Sequence, residues 1–219
     1  MLDVIVGHRV RQDAPRARRA GRTPKNQTHI IALHAKLGHP EVRPQSILSM
    51  QRVLVIGSGG AGKSTFATRF GEATGLPVVH LDACYWRPGW DPTPKEEWTR
   101  TVDEIAAREA WIMDGNYSGT LDRRLAACDT VIFLDLPRAV CIRRVLWRSL
   151  RYWGRSRPDM APGCPERMTL EFVQWVWKYR RKHRPGILLR LEAIAAEKRV
   201  IILESTHAVD QFLRAARAA

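Results

Sequence analysis

The chain has 219 residues, 45% of them hydrophobic, and carries a formal net charge of +14 with a pI near 10.5, so one domain plus a tail fits better than two domains, and the surface calls for anionic company: nucleotides, nucleic acid or acidic lipid. Cys84, Cys128, Cys141 and Cys164 are scattered without C-x-x-C or metal-ligand spacing, which argues against a disulfide or zinc framework and for reduced, intracellular usage. No stretch approaches the roughly 18 apolar residues of a membrane span, and no apolar signal core opens the chain, so a cytoplasmic protein that does not enter a membrane is expected.

Residues 1–49 differ in character from the rest. Arg11, Arg16, Arg18, Arg19, Arg22 and Lys25 stand among Pro, Ala, Gln and Gly without apolar periodicity, the composition of a solvated arm able to bind nucleic acid weakly. Met50 stands immediately before the first credible strand, so residues 1–49 read as an upstream extension from a misassigned start and 50–219 as the folded domain.

The apolar run 53–56 leads directly into Gly57-Ser58-Gly59-Gly60-Ala61-Gly62-Lys63-Ser64-Thr65, which fills the phosphate-loop pattern G-x-x-x-x-G-K-[ST] in its required context of strand before and helix after. Glycines let the backbone reverse at φ > 0 so that successive amides face one anion. Lys63 is expected on the β- and γ-phosphates of ATP, and Ser64 on Mg²⁺. Thr65 continues into a helix whose positive end faces the same phosphates.

Further strands are predicted at 78–81, 111–113, 131–134 and 200–203. Helices fill the intervals: from the loop to Gly75, after Pro94 through Trp98, Val102 and Ile105, over 121–127, over 137–153, over 168–196 with Pro185 bending it, and after His207. This alternation predicts an α/β fold of three layers, a five-stranded parallel sheet with helices on both faces. Ligands then bind at the carboxyl ends of the strands. Asp82, Asp114 and Asp135 sit at three such ends. Magnesium requires a carboxylate beside the phosphate loop to orient its waters; Asp114 and Asp135 compete for that role, and Asp114 is favoured because Gly115-Asn116-Tyr117 frees backbone near the site.

Arg144, Arg148, Arg151 and Arg155 share one helical face if the helix persists that far. Their mutual repulsion would be relieved by a phosphate-bearing ligand, and Arg144 and Arg148 are the candidates for stabilising charge on a transferring phosphoryl group. Residues 154–165, rich in Gly, Pro, Ser and Arg, read as the mobile turn of a lid spanning about 144–168. Arg180, Arg181 and Arg184 form a second cluster that faces either phosphate or solvent. Tyr85, Trp86 and Trp90 could stack a flat or sugar-like acceptor, with Arg87 meeting an anionic group; Asp82 would either deprotonate the acceptor hydroxyl or merely orient it. Trp147, Trp153, Trp175 and Trp177, at helical spacing with leucines and valines, read as packing residues.

The succession of the phosphate loop, Trp111-Ile112-Met113-Asp114-Gly115, Val131-Ile132-Phe133-Leu134-Asp135 and Arg144-Val145-Leu146-Trp147-Arg148 resembles the adenylate kinase and shikimate kinase superfamily of small P-loop kinases. Within it, the segment from Leu81-Asp82 to Trp90 and Asp114-Gly115-Asn116-Tyr117 resemble the bacterial group labelled DNA-topology-modulation proteins or adenylate-kinase-like kinases. The likeness covers roughly residues 51–213. It implies a five-stranded core, an acceptor segment after the second strand, an arginine-bearing lid, and an adenine loop at Ser205-Thr206-His207-Ala208. Adenylate kinases follow the Asp-Gly step with Phe-Pro-Arg, whereas this chain has Asn116-Tyr117-Ser118, which puts AMP as acceptor in doubt. The expected activity is transfer of the γ-phosphoryl of MgATP to a small acceptor by a monomer or homodimer. The alternatives are a nucleic-acid-associated ATPase affecting DNA topology and an ATP-binding module without catalysis.

Overall fold

The computed structural model describes residues 47–219; the arm expected over 1–49 lies almost wholly outside them. Of its last residues, Ile47 is buried in the core, and its carbonyl accepts from Met50 N at 3.0 Å.

The order of elements is β1 (Arg52–Gly57), α1 (Lys63–Thr74), β2 (Val78–His80), α2 (Leu81–Tyr85), β3 (Trp86–Arg87), β4 (Asp91–Pro92), α3 (Lys95–Ala106), β5 (Trp111–Asp114), α4 (Ser118–Ala127), β6 (Thr130–Leu134), α5 (Arg138–Arg151), α6 (Leu170–Lys182), α7 (Arg184–Ile194), β7 (Arg199–Leu203) and α8 (Thr206–Arg217). Five strands form one parallel sheet in the order β2-β5-β1-β6-β7. β1 lies at its centre, and Val53 to Gly57 are all buried, because a parallel strand covered on both faces must be apolar throughout rather than alternating. From β1 the chain leaves towards β2 and later returns to β6 on the other side, so the crevice between these connections opens at the carboxyl end of β1. Register completes the arrangement: Val55 pairs with Asp114, Asp114 with His80, and Gly57 with Leu134.

Helix faces follow from period. α3 buries Trp98, Val102, Ile105 and Ala106, one stripe at i, i+4, i+7 and i+8. α1 and α8 are joined by Phe66, Phe70 and Phe212, whose ring centroids lie 5.5–5.7 Å apart; each such buried ring contributes about 1.5–3 kcal/mol. α5 is different. Its buried residues are the small Cys141, Val145 and Ser149, because they pack against loop backbone rather than side chains.

Four expectations are corrected. The helix predicted over 168–196 is two helices, α6 and α7, parted at His183: Pro185 sits in the first turn of α7, where its missing N–H costs nothing, whereas inside a continuous helix it would clash with the carbonyl four residues back. α5 ends at Arg151, so Arg155 does not share the face of Arg144 and Arg148. Trp175 is buried as expected, but Trp147, Trp153 and Trp177 are 64%, 66% and 55% exposed. Arg87 turns outward, both its contacts to the Glu97 carboxylate being 2.7 Å, and so does not face an acceptor. The β3–β4 hairpin and the short α2 carry no sequence signal, since two-residue strands have no period.

Candidate functional site

The phosphate loop keeps its shape because three glycines adopt conformations other residues resist. Gly57, Gly60 and Gly62 have φ of 153°, 76° and 89°, and a Cβ on Gly57 would lie 2.6 Å from Leu134 O. Gly60 meets α5 so closely that its Cβ would come within 2.9 Å of Val145 Cγ2. Asn116 clamps the start of the loop, accepting from Gly57 N at 3.2 Å and donating to Gly57 O at 2.8 Å. Gly62 is the N-cap of α1, with no side chain capping the helix, so the first-turn amides remain available to an anion. The cradle fits a triphosphate: an open nest of amides, a helix terminus behind it, and a lysine at its centre.

Lys63 Nζ donates to Ser58 O at 3.2 Å across the loop. Burial holds its pKa below the ordinary lysine value, against the pull of Asp82 and Asp114, which raise it. A desolvated ammonium between two carboxylates is strongly drawn to further negative charge. Arg144 Nη1 donates to Ala61 O at 3.1 Å, which fixes that guanidinium against the phosphate cradle.

The two carboxylates that competed for magnesium have different partners. Asp135 is buried, and Nε and Nη2 of Arg184 converge on its Oδ2 at 2.7 and 2.6 Å, with Arg180 at 4.0 Å. Arg184, read as facing phosphate or solvent, does neither. Asp114 is buried at the end of β5, in the strand beside β1, and takes a hydrogen bond from His80 Nδ1 at 2.6 Å. That bond raises the His80 pKa over the opposing effect of burial, and it orients Asp114 as an outer partner orients a metal-associated carboxylate. The oxygen donors of Asp114 and Ser64 are of the type that magnesium takes. Among the described residues no cluster of three or more His, Cys, Asp or Glu side chains could hold a metal by itself; a magnesium ion held between phosphate oxygens, one carboxylate and water needs no such cage.

Asp82 lies in the first turn of α2, and the Tyr117 hydroxyl donates to its Oδ1 at 2.7 Å. Burial, ahead of the nearby Asp82 charge, pushes the Tyr117 pKa well up, so the phenol stays a proton donor to the carboxylate. Tyr117 has φ of 26°, sparsely populated for a residue with a side chain. Arg124 holds it there. That guanidinium is fully buried and donates to the carbonyls of Gly115 at 2.8 Å, Tyr117 at 2.8 Å and Asn116. Burial pushes its pKa down to about 10, still charged at neutral pH.

Lys63, Ser64, Thr65, His80, Asp82, Asn116, Tyr117, Arg144 and Arg148 line a single cleft of about 1380 Å³. Arg148 is anchored from the side: its Nε donates to Glu166 Oε1 at 3.1 Å, and Ser149 Oγ lies 3.3 Å from the same oxygen. Arg157 lies 2.7 Å from Glu166 Oε2 as an ion pair and donates to Asp159 at 2.8 Å. Residues 152–169 therefore fold over the cleft by charge pairing with α5. They also clasp the β3–β4 hairpin, with Gly89 N on Gly163 O at 2.9 Å and Trp90 Nε1 on Pro165 O at 3.0 Å. Arg124 and Glu166 carry no local signal in the sequence, whereas His80, two residues before Asp82 at a strand end, and Tyr117, in the turn after Asp114, do, without a role that the sequence assigns them.

No family model matches the chain. Over 133 residues it is 25% identical to a Bacillus subtilis (strain 168) protein described as uncharacterized protein YqaC, covering 59% of this chain and 72% of that one. Among solved structures it is similar to a gluconokinase from Sinorhizobium meliloti 1021, with a TM-score of 0.45 and 17% identity over 77% of this chain and 90% of that one. It is also similar to the shikimate kinase from Acinetobacter baumannii, solved in complex with shikimate, with a TM-score of 0.47 and 16% identity over 78% and 93% of the two chains. Among the described residues no helix is long and apolar enough to cross a membrane.

Proposed function

We propose that the chain is a P-loop phosphotransferase that moves the γ-phosphoryl group of MgATP to a hydroxyl of a small acceptor. The observation that carries this reading is convergence: Lys63 opens α1 and Asp82 lies in the first turn of α2, both line one cleft, and His80 in the same cleft bonds Asp114 at 2.6 Å, so phosphate, metal and acceptor would all lie within reach of one another. Lys63 and the loop amides bind the phosphates, and Ser64 and Asp114 would hold magnesium, which would supply positive charge against that of the phosphates. Arg144 steadies the cradle and adds positive charge beside the transferring group, with Arg148 next to it. Asp82 accepts the proton of the attacking hydroxyl, its carboxylate aimed by the Tyr117 donor. Folding of residues 152–169 over the cleft excludes water, which suppresses wasteful hydrolysis.

Asp82→Asn tests the assignment directly. The amide keeps the shape of the side chain but cannot take a proton, so kcat is expected to fall about 10²–10⁴-fold while calorimetric uptake of a non-hydrolysable MgATP analogue stays unchanged. Unchanged turnover would remove Asp82 from the chemistry.

A second reading, association with nucleic acid as the resemblance to DNA-topology-modulation proteins suggests, is favoured by one feature: the exposed Trp147, Trp153 and Trp177 stand among arginines, with Arg138 4.5 Å over the Trp177 ring. Stacking rings beside cations suit single strands. Under this reading the full chain binds single-stranded DNA with an affinity that falls steeply between low and moderate salt and is lost on Trp147→Ala with Trp153→Ala; equal binding by that variant would assign the affinity to net charge alone.

A further inference from the structure

Glu166 lies in a stretch without period, yet its side chain is only 3% exposed. A carboxylate gives up its hydration on such burial, which is tolerated only where donors surround it. Here the donors come from two separate segments. From α5, Nε and Nη2 of Arg148 both reach Glu166 Oε1 at 3.1 Å, and Ser149 Oγ lies 3.3 Å from the same oxygen. From the segment 152–169, Arg157 Nε stands 2.7 Å from Oε2. Each arginine therefore has one oxygen. Backbone bonds fix the carboxylate between them: Glu166 N donates to Arg155 O at 2.8 Å, and Gly154 N to Glu166 O at 3.4 Å. Phe172 backs the Arg148 guanidinium, 5.6 Å from its ring centre.

The groups that Glu166 joins would otherwise separate. Burial first and the Arg157 charge next lower the Arg148 pKa, while Glu166 raises it. The Arg148 charge is felt in turn at Lys63, whose pKa burial lowers most and Arg148 lowers further, against Asp82 and Asp114. Lys63, Arg148 and Arg157 thus stand in file along the cleft that they and Glu166 line. Like charges so placed repel one another, and without Glu166 the two guanidinium groups would swing apart. The grip also leaves donors over. Arg148 is held through Nε and Nη2, and Arg157 through Nε and through Nη1, which donates to Asp159 at 2.8 Å. Nη1 of Arg148 and Nη2 of Arg157 keep their N–H groups for a ligand. Resting on the phosphotransferase reading, we propose that Glu166 is a positioning residue, which holds Arg148 and Arg157 side by side so that both guanidinium groups meet the phosphoryl group in transit.

The test needs no acceptor. The full chain is titrated by calorimetry with MgADP, and then with MgADP and aluminium fluoride, which together stand in for a nucleotide with its phosphoryl group in transit. A wild type that takes up no MgADP overturns the phosphotransferase reading, and this proposal falls with it; every later outcome bears on Glu166 alone. In the wild type, fluoride is expected to tighten MgADP about 100-fold. In Glu166→Gln, which keeps the volume of the side chain without its charge, MgADP alone should bind within about two-fold of wild type, and the gain from fluoride should shrink about ten-fold or more. A wild type without the gain overturns the proposal, and so does a variant that keeps it. Equal loss of both complexes also overturns it, being the result of a purely structural tie. Arg157→Lys is the second variant, since it leaves the buried Glu166 a positive partner but removes the planar fork. It should lose part of the same gain, and adding Glu166→Gln to it should have a smaller effect than Glu166→Gln alone. Fully additive losses would show that Glu166 does not act through Arg157.

Discussion

Lys63→Met is expected to abolish turnover while leaving the protein at least as stable as wild type. The loss follows from position: Lys63 is the cation at the centre of the glycine nest, its Nζ held by Ser58 O at 3.2 Å, and charge developing on the transferred group would lose its nearest fixed partner. Removing a preorganised donor of this kind costs about 10²–10³-fold or more in rate, with a parallel loss in MgATP affinity by calorimetry. The stability gain follows from the pKa. Burial lowers the value for Lys63 below that of an exposed lysine, so at neutral pH the charged form is disfavoured in the folded state and opposes folding. That opposition is lifted as pH rises through the folded-state value towards the unfolded one. Methionine fills a similar volume without charge, so its melting temperature should exceed that of wild type at pH 7, and the two should approach one another at alkaline pH. Each kcal/mol recovered is worth about 2–4 °C in a chain of this size. A variant that melts well below wild type would mean that Lys63 is a structural tie and not a strained functional group; one that turns over normally would remove the phosphate loop from the chemistry.

The same position explains why this part of the site was legible in the sequence. The residues of the phosphate loop are contiguous, and the demands on them are local: glycine where φ is positive, lysine at the nest, a strand before and a helix after. Asp114 and Asp135 could not be separated so easily, because both end apolar strands. What divides them is Arg184, 49 residues beyond Asp135 in the chain, and His80, 34 residues before Asp114, contacts that only the fold creates. Trp147 of α5 departs from the expected packing role for a related reason. Periodicity identifies a stripe but not what it packs against. The side of α5 that faces inward meets the backbone of Gly60, so it must be small, and Cys141, Val145 and Ser149 occupy it. Leu146, Trp147 and Leu150 are left on the exposed side.

Arg124 carried no sequence signal at all, one basic residue among the 36 lysines and arginines of the chain, yet the second large effect is expected there. Arg124→Ala should lower stability by about 3–5 kcal/mol, or roughly 6–20 °C in melting temperature, because the carbonyls of Gly115, Asn116 and Tyr117 lose their donor inside the protein and a cavity opens beneath them. Those carbonyls belong to the turn that joins Asp114 to Tyr117, so the loss is not confined to stability. Tyr117 keeps φ of 26° only while that turn is held, and it is the Tyr117 hydroxyl that aims Asp82. Arg124→Lys separates the two effects: a lysine keeps the charge but cannot span three carbonyls with a planar fork. It is expected to fold with part of the stability loss, to take up MgATP normally through the intact phosphate loop, and to lose turnover out of proportion to its melting temperature. If its turnover at a temperature well below its melting point matched wild type, Arg124 would be a packing residue whose hold on the turn has no bearing on Asp82.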